Sequence, residues 1–178
     1  MSNVAPIQDT VYLAMSAFLQ ATLGLSQSVV LQGLPNRSAE PPASPGFVVM
    51  QIENAKRLRQ NVDTWANVDD PTSLQIEQGT QLRMQLDFYG SSAGDWAVTM
   101  QTVLRDEVGC VALAPNCQPL YTDDAQLVPL EDDEEQYEQR WLLNAYLQYN
   151  PVVTTPMTFA NELEIELVNV DVTYPPLP

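Results

Sequence analysis

The chain contains no histidine. Ser–His and Cys–His catalytic groupings cannot be assembled within it, and the commonest metal ligand is missing. Cysteine occurs only at Cys110 and Cys117, too few for a zinc site by themselves. The pair can close a small loop as a disulfide. The composition is not that of a disulfide-stapled scaffold, however, and favours two reduced thiols. The seven glycines are dispersed, with no Walker or dinucleotide-binding pattern. No apolar run approaches the about 20 residues of a membrane-spanning helix. The first residues lack the basic, apolar and small-residue regions of a signal peptide. A soluble protein made in the cytoplasm is expected.

Positive charge is scarce as well. Seven basic residues stand against 23 acidic ones, for a net charge of −16. Such a surface repels phosphate backbones and disfavours tight nucleic-acid binding through neutralising Lys and Arg. The same repulsion suits a surface past which DNA slides without sticking, and it also serves simply to keep an abundant protein soluble. Charged residues make up 17% of the chain and hydrophobic ones 45%, so 178 residues can bury a sizeable core. That length suits a single domain. Four of the seven basic residues fall between Arg37 and Arg59, which makes the first third locally less acidic than the rest.

Periodicity outlines the elements. In residues 9–23, Val11, Met15, Phe18, Leu19 and Thr22 sit at helical spacing, with Asp9 or Thr10 as a start and Gly24 as a stop. Residues 28–34 are short and partly β-branched. Residues 36–46 hold Pro41, Pro42 and Pro45 and read as an exposed loop. Residues 47–53 form a strand, and Asp69, Asp70 and Pro71 mark a turn. In residues 79–89 Leu82, Met84, Leu86 and Phe88 alternate with Arg83, Gln85, Asp87 and Tyr89, the period of a half-buried strand. Ser92 then starts a helix with Trp96, Met100, Val103 and Leu104 on its buried stripe, ending near Val108 and Gly109. Residues 109–129 are expected to be an irregular loop with one short strand around 119–121.

Residues 131–135 are an unbroken acidic run that stays solvated. Residues 136–153 read as one long strand or two split by a bulge. Trp141, Leu143, Ala145, Leu147 and Tyr149 lie on one face, and Leu142, Asn144, Tyr146 and Gln148 on the other; Pro151 ends the pairing. A turn at Thr155 and Pro156 leads to a last strand in which Leu163, Ile165 and Leu167 alternate with glutamates. Residues 174–178 form an extended, proline-rich tail. The expected fold is α+β, mostly antiparallel sheet with two helices packed on one face.

Acid pairs such as Asp69–Asp70 and Asp123–Asp124 follow from the sheer number of carboxylates. Sequence neighbours on a loop do not face each other across a cleft as a glycosidase pair must. Residues 123–135 are rich in acids but have no glycine around which calcium ligands could be spaced. No nucleophile, base and orienting group can be put together, so a non-enzymatic protein without cofactor or metal is expected. The candidates that remain are Arg83, Tyr89, Arg140 and Tyr146, which fall on outward strand faces. Aromatic residues beside arginine are the composition of a protein–protein contact, and equally that of scattered surface residues.

Three segments in order resemble the tailed-bacteriophage neck and tail terminator family. They are Met84-Gln85-Leu86-Asp87-Phe88-Tyr89-Gly90 with Ala93 and Asp95, then Gln136-Tyr137-Glu138-Gln139-Arg140-Trp141 continued by Leu147-Gln148-Tyr149-Asn150-Pro151, and finally Val168-Asn169-Val170-Asp171 with Pro175-Pro176. Arg57-Leu58-Arg59-Gln60-Asn61 is similar to an earlier family element. The resemblance covers about residues 80–176. It implies a virion protein of the neck that forms a ring, usually hexameric, on the head-proximal end of the tail. That ring stops tube polymerisation and meets the head connector, with genomic DNA passing through its lumen. The partners implied are further copies of the chain, the tail tube protein, head-connector proteins and sheath protein. Rival readings are another head-completion ring protein, and an acidic DNA mimic that blocks a host protein.

Overall fold

A computed structural model describes residues 3–4, 7–33, 46–65, 73–128, 130–131 and 137–156. Four features expected from the sequence lie outside these residues: most of the loop at 36–46, the turn at Asp69–Pro71, the strand around Leu163–Leu167 and the tail at 174–178. Most of the acidic run at 131–135 does too.

The described chain runs β1 (Asn3–Val4), α1 (Ile7–Leu23), a 3-10 turn (Gln27–Val29), β2 (Val30–Gln32), β3 (Phe47–Arg57), β4 (Val62–Trp65), β5 (Ser73–Glu77) and β6 (Thr80–Tyr89). It continues with α2 (Ala93–Leu104), α3 (Glu107–Leu113), β7 (Gln118–Thr122), β8 (Gln126–Leu127), β9 (Leu130–Glu131), β10 (Tyr137–Glu138), β11 (Arg140–Tyr149) and β12 (Val152–Pro156). The main sheet has the order β2-β3-β6-β11-β7, with β8 also on β11, and it is antiparallel except for the β2–β3 pair. The fold is α+β, as the alternation of polar and apolar residues predicts.

Its core is the layer between this sheet and the helices. Leu82, Met84, Leu86 and Phe88 of β6 and Leu143, Ala145 and Leu147 of β11 are buried on one sheet face. Against them lie Val11, Met15, Phe18 and Leu19 of α1 and Ala93, Ala97, Met100 and Leu104 of α2. Trp96, Val103 and Trp141 are half-buried at the margin of this core. The period-two and period-3.6 patterns therefore put their apolar stripes where expected. A shift in pairing register between Ile52 and Asn54 of β3 lets the Ile52 N–H donate to the Tyr12 hydroxyl of α1 at 2.7 Å. That bond gives a polar group at the irregularity a partner.

Several boundaries differ from expectation. The first helix begins at Ile7, so Asp9 lies in its first turn and does not cap it; Gly24, at φ 67°, ends it. Ser92 stands at the start of α2 without a side-chain cap bond. The region expected to be an irregular loop from 109 to 129 contains a third helix. Asp106 caps α3 by accepting from Val108 N at 3.2 Å. Gly109 reads as a stop signal but sits inside α3, where a Cβ would come within 2.7 Å of the Val103 carbonyl oxygen of α2. It is a site of close helix approach, not of termination. Thr155 and Pro156 lie within β12, opposite Leu74 and Ser73, and do not form a turn.

A second, four-stranded sheet has the order β1-β12-β5-β4. It continues the first. The β6–β11 ladder passes into β5–β12 across Gln78–Gly79 and Asn150–Pro151, bridged by Gln78 N donating to Pro151 O at 3.0 Å. Pro151 has no N–H to extend the ladder, so the sheet breaks there. The strands β4, β5 and β12 form an arm, and no residue of them is fully buried.

Arg105 fastens α2 to the end of β7. Its Nε donates to Thr122 Oγ1 at 2.9 Å, and its Nη2 donates to Thr122 O at 2.9 Å and Asp124 Oδ1 at 2.8 Å. Both cysteines are free thiols, Cys110 half-buried and Cys117 buried. Burial pushes the Cys117 thiol up to about 11. At pH 8 a thiol reagent is expected to modify Cys110 in the native protein and Cys117 only on unfolding. The unfolded Cys117 ionises at its ordinary, lower pH. Its contribution to stability is therefore complete below about pH 9 and is lost as pH rises through about 11, to a limit of ~2–3 kcal/mol. Denaturant titrations of wild type and Cys117→Ala across that range measure the difference.

Candidate assembly interface

The sheet face away from the helices carries the four residues singled out from the sequence. Register fixes their neighbours. Arg140 lies opposite Tyr89 and Tyr146 opposite Arg83, on adjacent strands β11 and β6. Between them Asn144 faces Gln85 and Leu142 faces Asp87. Two Arg–Tyr pairs thus bracket a polar centre on one face, a placement that follows from period two on both strands.

Three carboxylates hold members of these pairs: Asp87 for Arg140, Glu53 for Arg83 and Asp123 for Tyr146. Arg140 Nη2 and Nε donate to Asp87 Oδ1 at 3.0 and 3.1 Å, and Gln85 Nε2 donates to Asp87 Oδ2 at 2.7 Å. The Arg140 guanidinium also lies 5.9 Å from the centre of the Tyr89 ring, which stacks on Phe47 at 4.5 Å. The Asp87 side chain is only 8% exposed and that of Arg140 22%. Removing the cation strands a buried carboxylate. Arg140→Met is expected to cost ~2 kcal/mol in urea denaturation. The double variant Asp87→Asn/Arg140→Met should recover part of that loss, because no charge is then left alone.

At the other pair, Arg83 Nε lies 3.0 Å from Glu53 Oε2. Tyr146 stacks on Tyr121 of the edge strand β7 at 4.2 Å. Its hydroxyl donates to Asp123 Oδ2 at 3.3 Å, and Asn144 Nδ2 donates to the same oxygen at 3.1 Å. Burial, followed by the charge of Asp123, pushes the Tyr146 phenol up from its ordinary value. Burial does the same for Tyr149. The four residues are therefore brought onto one face as two cross-strand neighbours, Arg140 with Tyr89 and Tyr146 with Arg83.

Reading the sequence alone missed the groups that hold them. Asp87 is visible there only as a polar position in an alternating strand, and Asp123 only as half of an acid pair. Glu53 and Tyr121 carry no local signal, because their partners are far away in sequence. Also missed is apolar surface on the helices. Leu13 of α1, Val98 of α2, and Val108 and Val111 of α3 are 52–69% exposed. Among the described residues β2, β4 and β7 are edge strands, and Leu120 and Tyr121 on β7 are exposed.

A helix-backed sheet with an aromatic and arginine-bearing outer face, open strand edges and exposed valines has the make-up of a subunit built for contact with other proteins. The model of the phage neck terminator protein family matches residues 9–176, and the chain belongs to that family. This puts it among the structural proteins of the bacteriophage neck. The match begins some seventy residues before the part of the chain, about residues 80–176, that carries the main resemblance. No curated protein matches the chain. No helix among the described residues is long and apolar enough to cross a membrane.

Proposed function

We propose that the chain is a non-catalytic structural subunit, acting as one domain, that assembles in the host cytoplasm into a ring at the head-proximal end of the phage tail. There it stops polymerisation of the tube and joins the tail to the head connector. The observation that carries this reading is the family match across residues 9–176. One general rule and two features of the chain support it. A contact between unlike surfaces that closes on itself leaves a ring with two different faces, one for the tube end and one for the head side. The edge strands β2, β4 and β7 offer backbone groups for such contacts. A net charge of −16 lets DNA traverse a lumen without adhering. The ring is taken to be a hexamer, with tube, connector and sheath proteins as its neighbours.

Electron microscopy of particles tests this. Particles made without the chain should carry tails of uncontrolled length or fail to join heads. In complete particles its density should form a ring where tail meets head. A stable monomer with no affinity for tube ends would overturn the reading, and density confined to the portal side would assign the chain to head completion.

A further inference from the structure

The main sheet is open along β2. This strand is three residues long and pairs with β3 on one side; among the described residues no strand pairs with its other side. Beside this edge, on the helix side of the sheet, runs a groove of about 390 Å3. Tyr12, Leu13 and Ser16 of α1 form one wall, and Val30 and Gln32 of β2 with Met50 of β3 form the other. Leu13 is 69% exposed. An open strand edge next to an apolar groove suits an added strand, which gains ladder bonds and buries alternate side chains together.

The chain itself contains a segment of that pattern. Leu163, Ile165 and Leu167 alternate with Glu162, Glu164 and Glu166, outside the described residues. Laid against β2, such a strand turns its aliphatic side chains into the groove and its carboxylates to the other face of the sheet. The apolar hollow on α3, around Val108 and Val111, suits it less, because Asp106 and Glu107 line that hollow and repel the glutamates.

The segment cannot reach the β2 edge of its own chain. β12 ends at Pro156, opposite Ser73 at the outer end of the arm. β2 lies toward the other end of the body: Gln32 is level with Met50, whereas the body meets the arm at Arg57 and Thr80. Met50 to Arg57, and Thr80 to Ser73, each span about 23 Å of strand. Even an arm bent square to the body leaves the two ends ~33 Å apart, before the sideways step across β11, β6 and β3. The arm strands have their main contacts with one another, not with α1 or β2. From Pro156 to Leu163 a fully extended chain covers at most ~25 Å.

We propose that residues 162–168 of one copy add as a strand to the open edge of β2 in the next, with Leu163, Ile165 and Leu167 in the groove over Leu13, Val30 and Met50. Donor and acceptor are unlike surfaces, so the contact repeats head to tail and closes. This rests on the ring reading and supplies a contact that builds the ring.

Sedimentation and native mass spectrometry of the full chain test it. Leu13→Asp and Ile165→Asp should each weaken self-association by about tenfold or more. Leu13 is exposed in the single chain, so Leu13→Asp should leave its urea midpoint unchanged. Each variant keeps the half of the contact that the other has lost. A mixture of the two should therefore give one-to-one heterodimers and no ring. Independently, Gln32→Cys with Ile165→Cys, in a Cys110→Ala background, should give a ladder of disulfide-linked multimers under oxidation. Cys117 is buried and stays out of the reaction. A disulfide formed only within single chains would show that the segment returns to its own β2, and would overturn the exchange. Rings that survive both aspartate substitutions and give no ladder would overturn the contact while leaving the ring standing. Wild-type chain that never assembles, alone or on tube ends, would overturn the ring and the contact together.

Discussion

Gly46→Ala is expected to lower the unfolding free energy by about 3 kcal/mol or more, or to prevent folding. Gly46 precedes β3 at φ 120°, a conformation that L side chains rarely adopt. A Cβ there would stand 2.1 Å from the backbone carbonyl oxygen of Tyr89 and 3.1 Å from the Trp96 ring. The carbonyl cannot swing aside like a flexible side chain, because Tyr89 is paired on both sides, with Phe47 and with Arg140. Relief therefore means prising β3 from β6, the pair that carries the centre of the sheet. Gly24→Ala is the control. Gly24 also has positive φ, but nothing lies within 4 Å of its added Cβ. It should lose only ~1 kcal/mol, from backbone strain alone. Urea titrations of the two variants measure both. A Gly46→Ala protein as stable as Gly24→Ala would show that β3 can start elsewhere.

Phe88→Ala is expected to cost about 3–5 kcal/mol. Phe88 is fully buried, near the end of β6, with Val48 and Trp141 as its cross-strand neighbours. Deleting the ring removes its transfer free energy and leaves a void between sheet and helices that neighbours held in two ladders cannot refill. Phe88→Leu keeps much of the volume and should lose only ~1–1.5 kcal/mol. Both variants should show the same denaturant dependence as wild type, since the surface exposed on unfolding hardly changes. A loss under ~1 kcal/mol for Phe88→Ala would mean that the layer between β6 and the helices is not the main source of stability.

The candidate face was half legible before the structure. Alternation in β6 and β11 puts Arg83, Tyr89, Arg140 and Tyr146 on polar faces, and the structure brings those faces together as one. What alternation cannot supply is the third partner in each contact. Asp87 is 53 residues from Arg140, and Asp123 reaches Tyr146 from just beyond the end of the edge strand β7. The missing third helix has a local cause. Gly109 carries the usual signal of a helix end, and whether it stops a helix or lets one approach another depends on Val103, which only packing brings near.

The sequence by itself determined the faces. The absence of histidine, the excess of acid and the two periodicities set which chemistry is lacking, which residues turn inward and that the fold is α+β, because period and composition are properties of the chain taken locally. The tertiary structure decided adjacency. It set which strand lies beside which, that the chain beyond Pro151 pairs with β5 and no longer with β6, and that β6 and β11 lie between β3 and the strand on which α3 packs. Those outcomes depend on contacts between distant residues, which periodicity does not encode.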